Sequence, residues 1–251
     1  MPSSSRITGN AGLFQAFFEG WLVRQQEFLD ELLAAEEYMS SAPADHENNN
    51  NNNNVVRGLT ARVLGHYQEY YDEKSRMASR NVFLAFSPTW FTPLERSFLW
   101  IAGFKPGLVR RLAIASVEDL TEDQIQRIER LSRETTRQEK SLDEEMAKIQ
   151  ESVASPAVVD LARRIGMHFG YVDGEIYEVD NQIEALKSSI ENVMRDADRL
   201  RTRTAERMTE ILSPLQNLKF LAAAAQLQFR IRTLGLQKEA DREFNSRTDG
   251  W

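Results

Sequence analysis

The sequence predicts an all-α protein, an elongated bundle of about seven to eight helices in which two long helices run antiparallel. Apolar residues recur at spacings of three and four over most of the chain, which is the period of an amphipathic helix. The 251 residues include only 12 glycines and 7 prolines, whereas a β-sandwich or barrel needs many turns. A chain of this length can bury a substantial core.

The first two predicted helices cover residues 12–40 and 55–84, and each carries an apolar stripe and a charged face. The Ser-rich residues 1–11 before them form a predicted disordered tail. Between the two helices, residues 41–54 contain seven consecutive asparagines, Asn48 to Asn54. Asparagine side chains compete with the helix for backbone hydrogen bonds and bury no apolar surface. We therefore expect a disordered loop there.

Aromatic residues and prolines are concentrated in residues 86–107, which predict an ordered hinge buried between helices. Aromatic side chains bury more apolar area than any others. Thr92, Pro93 and Glu95 together form a helix start with a capping box, and we expect that helix to run for about three turns. The residues assigned to the structural hinge are Trp90, Pro93, Glu95 and Trp100. Alternatively, part of this aromatic surface is a ligand or partner pocket.

Capping residues and helix-breaking residues predict four further helices. A short helix is predicted over 107–115, and a capping box at Thr121 begins a helix that reaches residue 153. A further short helix is predicted over 156–166. The Ser-Pro pair at 213–214 begins the last helix, which we expect to end at Gly235.

The most regular segment covers residues 175–212. Its apolar positions are spaced close to 3.5 residues apart on average, which is the repeat of supercoiled helices. Such a long helix requires an equally long neighbour, and 121–153 is the predicted antiparallel partner. The helical domain is therefore expected to span residues 12–236, followed by a charged tail over 237–251.

Composition excludes several kinds of chemistry. The formal net charge is -7 at pH 7, and an acidic chain does not bind DNA phosphates through bulk electrostatics. There is no cysteine, which excludes disulfides, thiolate catalysis and cysteine-ligated metals. His46, His66 and His168 are far apart in the sequence, and no pair has the spacing of a zinc motif. We predict no catalytic residue, no cofactor and no metal site.

The sequence indicates the cellular location of the protein but does not indicate its oligomeric state. No apolar run approaches the length of a membrane span, and the N-terminus lacks the apolar core of a signal peptide. We therefore expect an intracellular protein without membrane contact. The apolar seam of 175–212 could be filled within the chain or by a second copy.

Two surfaces are candidates for binding other proteins. The first helix carries two adjacent phenylalanines and a tryptophan, which is more aromatic surface than packing along a narrow apolar stripe requires. The candidate partner-binding residues there are Phe18, Trp21 and Leu22. On helix 175–212, three arginines share one face and are candidates for docking an acidic partner or a phosphate. These are Arg199, Arg203 and Arg207, although the acidic residues interleaved with them also fit a solvated, salt-bridged face.

Several sequence blocks together resemble a known family. They are residues 17–22 with Gln25 and Leu29, 66–71 with Lys74, 87–95, Trp100, 103–106, 119–124, 144–151, 197–201, 211–216 and 220–221. In this order they resemble the Delay of Germination domain family of plant proteins, in the subgroup of Delay-of-Germination-like proteins. The same domain forms the C-terminal region of the TGA bZIP transcription factors. The Pro-Thr-Trp…Pro-Leu-Glu and Ile-Leu-Ser-Pro-x-Gln blocks are the most specific.

This resemblance implies a non-enzymatic α-helical regulator of the nucleus or cytosol that acts in seed dormancy, germination and abscisic-acid signalling. It implies regulatory proteins as partners, among them type 2C protein phosphatases and bZIP transcription factors. Residues 18–22 match the family's phosphatase-binding motif, with the tryptophan kept and the spacing residues different. Haem binding is attributed to the founding family member through C-terminal histidines. No histidine follows His168 here, so haem is not expected.

Two alternatives within the same resemblance stay open. One is a transcription regulator associated with sequence-specific DNA binding, as in the TGA factors. No basic region or leucine zipper precedes the domain in this sequence, so we expect DNA contact to be at most indirect. The other is a pollen-aperture factor of the same family.

Overall fold

The computed structural model describes residues 3–41, 46–154, 159 and 173–248, and this part of the chain is predominantly helical. Its eight helices are α1 (Ser3–Ser41), α2 (His46–Ala78), α3 (Val82–Phe86), α4 (Pro93–Ser97), α5 (Leu108–Ser116), α6 (Glu122–Ser152), α7 (Asp173–Ile211) and α8 (Pro214–Thr248). The described residues contain no strand, only one isolated bridge between Trp100 and Gly103. The predicted all-α fold is confirmed. Apart from residue 159, the helix predicted over 156–166 lies outside the described residues.

The two long helices α6 and α7 lie side by side and run antiparallel. Gln124, near the start of α6, donates a 3.0 Å hydrogen bond to the carbonyl oxygen of Ile211 at the end of α7. Further along, the hydroxyl oxygens of Thr135 and Thr204 are 3.4 Å apart. The capping box predicted at Thr121 is present. The prediction of two long antiparallel helices is therefore confirmed.

Two apolar clusters form the core. The first joins α1 to the end of α2, to α3, to the hinge and to the middle of α7. It includes Phe14, Phe18, Trp21, Met77, Val82, Trp90, Ile101, Val193 and Met194. The second joins the rest of α1 to the start of α2, to the end of α7 and to α8, and includes Leu29, Leu32, Val56, Leu59, Val63, Met208, Leu218, Phe220 and Leu221. Each large side chain contributes roughly 1.5–3 kcal/mol when fully buried.

Three segments predicted to lie outside helices belong to helices in the structure. α1 begins at Ser3, within the predicted disordered tail 1–11, and α8 continues through the predicted tail to Thr248. α2 begins at His46 and includes the asparagine run that was predicted to be a disordered loop. In a helix interior asparagine costs only about 0.7 kcal/mol relative to alanine, and an established helix extends at low cost.

The hinge is more sharply bent than the sequence predicts. α4 has five residues rather than three turns. Beyond it, Ile101 and Ala102 adopt φ values of 43° and 56°, and the chain reverses there. α8 does not end at Gly235 but continues to Thr248. Because Gly235 has no side chain, the hinge packs closely against α8 there. A Cβ atom at Gly235 would lie 2.1 Å from the Thr92 hydroxyl oxygen.

Candidate functional site

Three charged side chains meet in the interior beside the loop that connects α4 to α5. Lys74 of α2 donates from Nζ to Asp198 Oδ1 at 2.8 Å and to the carbonyl oxygen of Ala102 at 2.9 Å. Arg201 of α7 donates from Nη1 to the same Oδ1 atom at 2.5 Å. The side chains of Lys74 and Arg201 are only 2% and 5% exposed. Buried charges are stable only when they are paired and hydrogen-bonded, and this cluster meets both conditions.

Burial changes the acidity of this cluster. Desolvation lowers the pKa of Lys74 to about 8, and the positive charge of Arg201 lowers it too, while the Asp198 carboxylate acts in the opposite direction. The contact with Asp198 therefore favours the charged form of Lys74. Asp198 and Arg201 are three residues apart on α7, so both reach the same inward face of the helix.

Arg201 also holds the backbone of the loop. Its Nε atom donates to the carbonyl oxygen of Phe104 at 2.7 Å, and Nη2 donates to the carbonyl oxygens of Ile101, at 3.0 Å, and Trp100. Left-handed backbone at a β-branched residue costs about 1–3 kcal/mol, and these hydrogen bonds offset that cost. A Cβ atom at Gly103 would lie 2.7 Å from Arg201 Cζ, so a side chain there would displace the guanidinium from this position.

Acidic residues of α6 hold the other side of the same loop. Asp143 Oδ1 accepts a 2.6 Å hydrogen bond from the indole Nε1 of Trp100. Glu139, which is buried, accepts a 2.6 Å hydrogen bond from the backbone N–H of Gly107 through Oε1. Lys105 Nζ lies 3.5 Å from Asp143 Oδ2. Side chains from α2, α6 and α7 therefore converge on residues 100–107 and order them.

The buried charged side chains of the described residues are engaged with a partner charge or with backbone groups. In the described ranges, no group of three or more histidine and acidic side chains could hold a metal ion. None of the described helices combines the length and apolar character required to cross a membrane.

The predicted partner-binding residues of α1 face the core. Phe18 and Trp21 are each 1% exposed, and Leu22 is half-buried. The Trp21 indole N–H donates to the carbonyl oxygen of His66 at 2.9 Å, and the two rings stack with centroids 4.4 Å apart. The surface exposure that this prediction requires is therefore absent, because α2 and α8 both pack on α1 and cover its wide aromatic stripe.

The hinge residues have distinct positions. Trp90 lies in the first apolar cluster, and Pro93 is exposed at the first turn of α4. Glu95 closes the predicted capping box with Thr92 and also pairs with Arg232 of α8 at 3.2 Å. α4 is therefore attached to α8 through a buried carboxylate, a contact that the sequence alone did not predict.

The three predicted docking arginines of α7 are exposed. Arg199 pairs with Asp196 of its own helix at 3.0 Å, and Arg203 pairs with Glu134 of α6 at 3.0 Å. Arg207 has no ion pair with any described residue. Two more exposed arginines lie three and four residues from Glu134 and so share its face of α6. We call Arg130, Arg137, Arg199, Arg203 and Arg207 the arginine surface.

A cavity of about 520 Å³ lies between α2, α5, α7 and α8, next to the ordered loop. Three small residues, Gly65 of α2, Ala205 of α7 and Ala224 of α8, line the cavity. In the sequence, these small residues are a signal for a cavity between helices. The signal cannot be interpreted without knowing which helices face one another.

Comparisons with known proteins reveal clear relatives. A family model described as "DOG1: Seed dormancy control" matches residues 37–115. Over 235 residues the chain is 37% identical to Protein ZW2 of Arabidopsis thaliana, which covers 92% of this chain and 99% of that protein. It is also 37% identical over 228 residues to Protein RESPONSE TO ABA AND SALT 1 of the same plant, covering 90% and 96%. Transcription factor TGA2.3 of Oryza sativa subsp. japonica is 29% identical over 230 residues, covering 91% and 65%.

Proposed function

Because the chain belongs to the seed-dormancy-control family of plant regulatory proteins, we propose that it is a non-enzymatic regulator that works by binding other proteins. Its field of action is seed dormancy, germination and abscisic-acid or transcriptional signalling, in the nucleus, the cytosol or both. The proposed partners are type 2C protein phosphatases or bZIP transcription factors. Similarity across nearly the whole of Protein RESPONSE TO ABA AND SALT 1 is the observation that carries this proposal.

The proposed contact is the arginine surface rather than the aromatic face of α1. Its side chains are exposed, and the ion pairs of Arg199 and Arg203 are also exposed. Such pairs contribute only about 0–1 kcal/mol each, so they can be exchanged for contacts with a partner at little cost. Arginine binds carboxylate and phosphate groups through two parallel hydrogen bonds. The expected partner surface is therefore acidic or phosphorylated.

Charge reversal tests this contact. The triple variant Arg199→Glu, Arg203→Glu and Arg207→Glu should weaken binding to a purified type 2C phosphatase or TGA-class bZIP factor by about tenfold or more. Binding is measured by surface-immobilised titration, and circular dichroism verifies that the variant is folded.

A matched control changes the net charge by the same amount elsewhere. Arg57, Arg80 and Arg230 are exposed, and their combined reversal to glutamate should leave binding nearly unchanged. Equal losses in both triple variants would show that only net charge matters. If neither partner class binds the wild-type protein, the proposed function itself is contradicted.

Similarity to TGA2.3 favours a second candidate, a transcription regulator associated with DNA binding. A gel shift over a salt series with the isolated protein distinguishes the two candidates, because phosphate contacts make protein–DNA affinity strongly dependent on salt. We expect no salt-sensitive complex with the protein alone and a supershift when a TGA-class factor is added. A salt-sensitive complex without that factor would favour direct DNA contact.

A further inference from the structure

The cavity beside the ordered loop has the size and the walls of a small-molecule site. Its volume of about 520 Å³ is within the range of ligand pockets. Its lining is mainly apolar and includes leucine, valine and phenylalanine side chains of α2, α5 and α8. It opens beside Phe104, Leu108 and Leu227, which are 36%, 41% and 41% exposed. This combination leaves apolar surface accessible to a ligand of similar polarity.

The charges around the cavity disfavour an anionic ligand. Arg201 lines it, but its Nε, Nη1 and Nη2 atoms already donate to loop carbonyls and to Asp198. Lys105 also lines it and lies 3.5 Å from Asp143 Oδ2. Glu206 contributes an exposed carboxylate of its own. An anion in the cavity would be repelled by this carboxylate, and its contact with Lys105 would compete with Asp143.

Two uncharged polar side chains on the cavity wall have unused hydrogen-bonding capacity. Tyr71 of α2 and Gln228 of α8 both line the cavity, and neither side chain makes a hydrogen bond to another described residue. The same two residues also line a smaller cavity of about 80 Å³ that borders the aromatic cluster of α1. They therefore lie where the two cavities adjoin, and they can hydrogen-bond a hydroxyl or carbonyl group.

We propose that this cavity binds a neutral, largely apolar small molecule that carries one hydroxyl or carbonyl group. The apolar body occupies the larger cavity, and the polar group bonds with Tyr71 and Gln228. Polar groups that would otherwise lack a partner give orientation and selectivity to an apolar site. This ligand site is separate from the arginine surface, so it can be tested without any protein partner.

Two fluorescent probes that share one body test the charge preference. N-phenyl-1-naphthylamine is neutral, and 8-anilinonaphthalene-1-sulfonate is the same aromatic amine with a sulfonate group. The full chain should bind the neutral probe saturably with one site per chain, and it should bind the sulfonate at least about tenfold more weakly. Absence of saturable binding by the neutral probe, or equal affinity for the sulfonate, would overturn the proposal.

Filling the cavity tests the location. Ala224→Phe on α8 and Ala205→Phe on α7 each place a ring inside the cavity, and each should abolish binding of the neutral probe. Ala147→Phe adds the same ring at an exposed position of α6 and should leave binding unchanged. Thermal unfolding followed by circular dichroism identifies variants that remain folded. A folded cavity variant that binds like wild type would overturn the proposal.

Competition by a matched alcohol and hydrocarbon tests the polar contact. 1-Naphthol should displace the neutral probe several-fold better than naphthalene, in line with one net hydrogen bond. The double variant Tyr71→Phe and Gln228→Leu should keep binding of the probe and lose the preference for the alcohol. If the wild-type protein shows no such preference, or if the double variant retains it, the assigned role of these two residues is wrong.

Discussion

Arg201 and Arg203 are two residues apart on the same helix but have opposite environments. The Arg201 guanidinium is buried against Asp198 and the loop carbonyls, whereas Arg203 is exposed and pairs with Glu134 across the surface. Two residues along an α-helix correspond to a rotation of roughly 200°, which takes a side chain from the core to solvent. The side of the helix on which an arginine lies, rather than its residue type, therefore decides whether it stabilises the core or is exposed for binding.

The same comparison separates structural charges from charges available for binding. A buried ion pair that loses one partner leaves an uncompensated charge in the interior, which costs about 3–5 kcal/mol. An exposed pair contributes about 0–1 kcal/mol. The inward face of α7 should therefore control folding, and the arginine surface should control recognition with little effect on stability. The predictions below test this separation, beginning with the largest effect.

Arg201→Ala should reduce the free energy of unfolding by about 5 kcal/mol, at the upper end of the range for a broken buried pair. It removes the hydrogen bonds to the carbonyls of Trp100, Ile101 and Phe104 and leaves Asp198 paired with Lys74 alone. Urea unfolding followed by circular dichroism measures the change. Arg201→Lys serves as the control and should lose less, because it keeps the charge but not the planar group. A loss below about 1 kcal/mol for Arg201→Ala would contradict the comparison.

Trp21→Ala should lower the free energy of unfolding by about 4 kcal/mol, as expected when a buried tryptophan is truncated. The change removes the stacking on His66 and the hydrogen bond to its carbonyl oxygen. Any loss of partner binding by this variant would then report on folding rather than on contact. Val23→Ala, at a 61% exposed position nearby, should leave stability nearly unchanged. A fully stable Trp21→Ala variant that loses its partner would restore α1 as the binding surface.

His66 should make the protein less stable in mild acid. Burial, and to a smaller extent the positive charge of Arg24, lower its pKa to about 4, below the usual 6.5. Between these two values the unfolded state binds more protons, so stability falls as the pH falls from 6.5 towards 4. The expected loss is about 2 kcal/mol at pH 5. His66→Phe keeps the stacked ring but cannot titrate, so its urea-unfolding free energy should fall less between pH 7 and pH 5. Equal falls would show that His66 is not responsible.

Local signals in the sequence predicted the helices better than the contacts between them. Capping boxes at Thr92 and Thr121 involve residues three apart, so the sequence displays them directly. The burial of Trp21 depends on two distant helices that both pack on α1, and no local pattern records that. The left-handed turn at Ile101 is equally hidden, because Arg201 stabilises it from 100 residues away. A cavity is an absence of atoms between helices, which no single helix reveals.

Arg203→Ala should give the smallest effect, about 0.5 kcal/mol or less in the free energy of unfolding at low salt. The ion pair with Glu134 is exposed, so water and salt screen it. The difference from wild type should disappear in concentrated sodium chloride, and Glu134→Gln should reproduce it. In the same preparation, affinity for an acidic partner should fall more than stability does, because the lost charge faces outward. A loss of stability comparable to that of Arg201→Ala would remove the distinction between the two faces of α7.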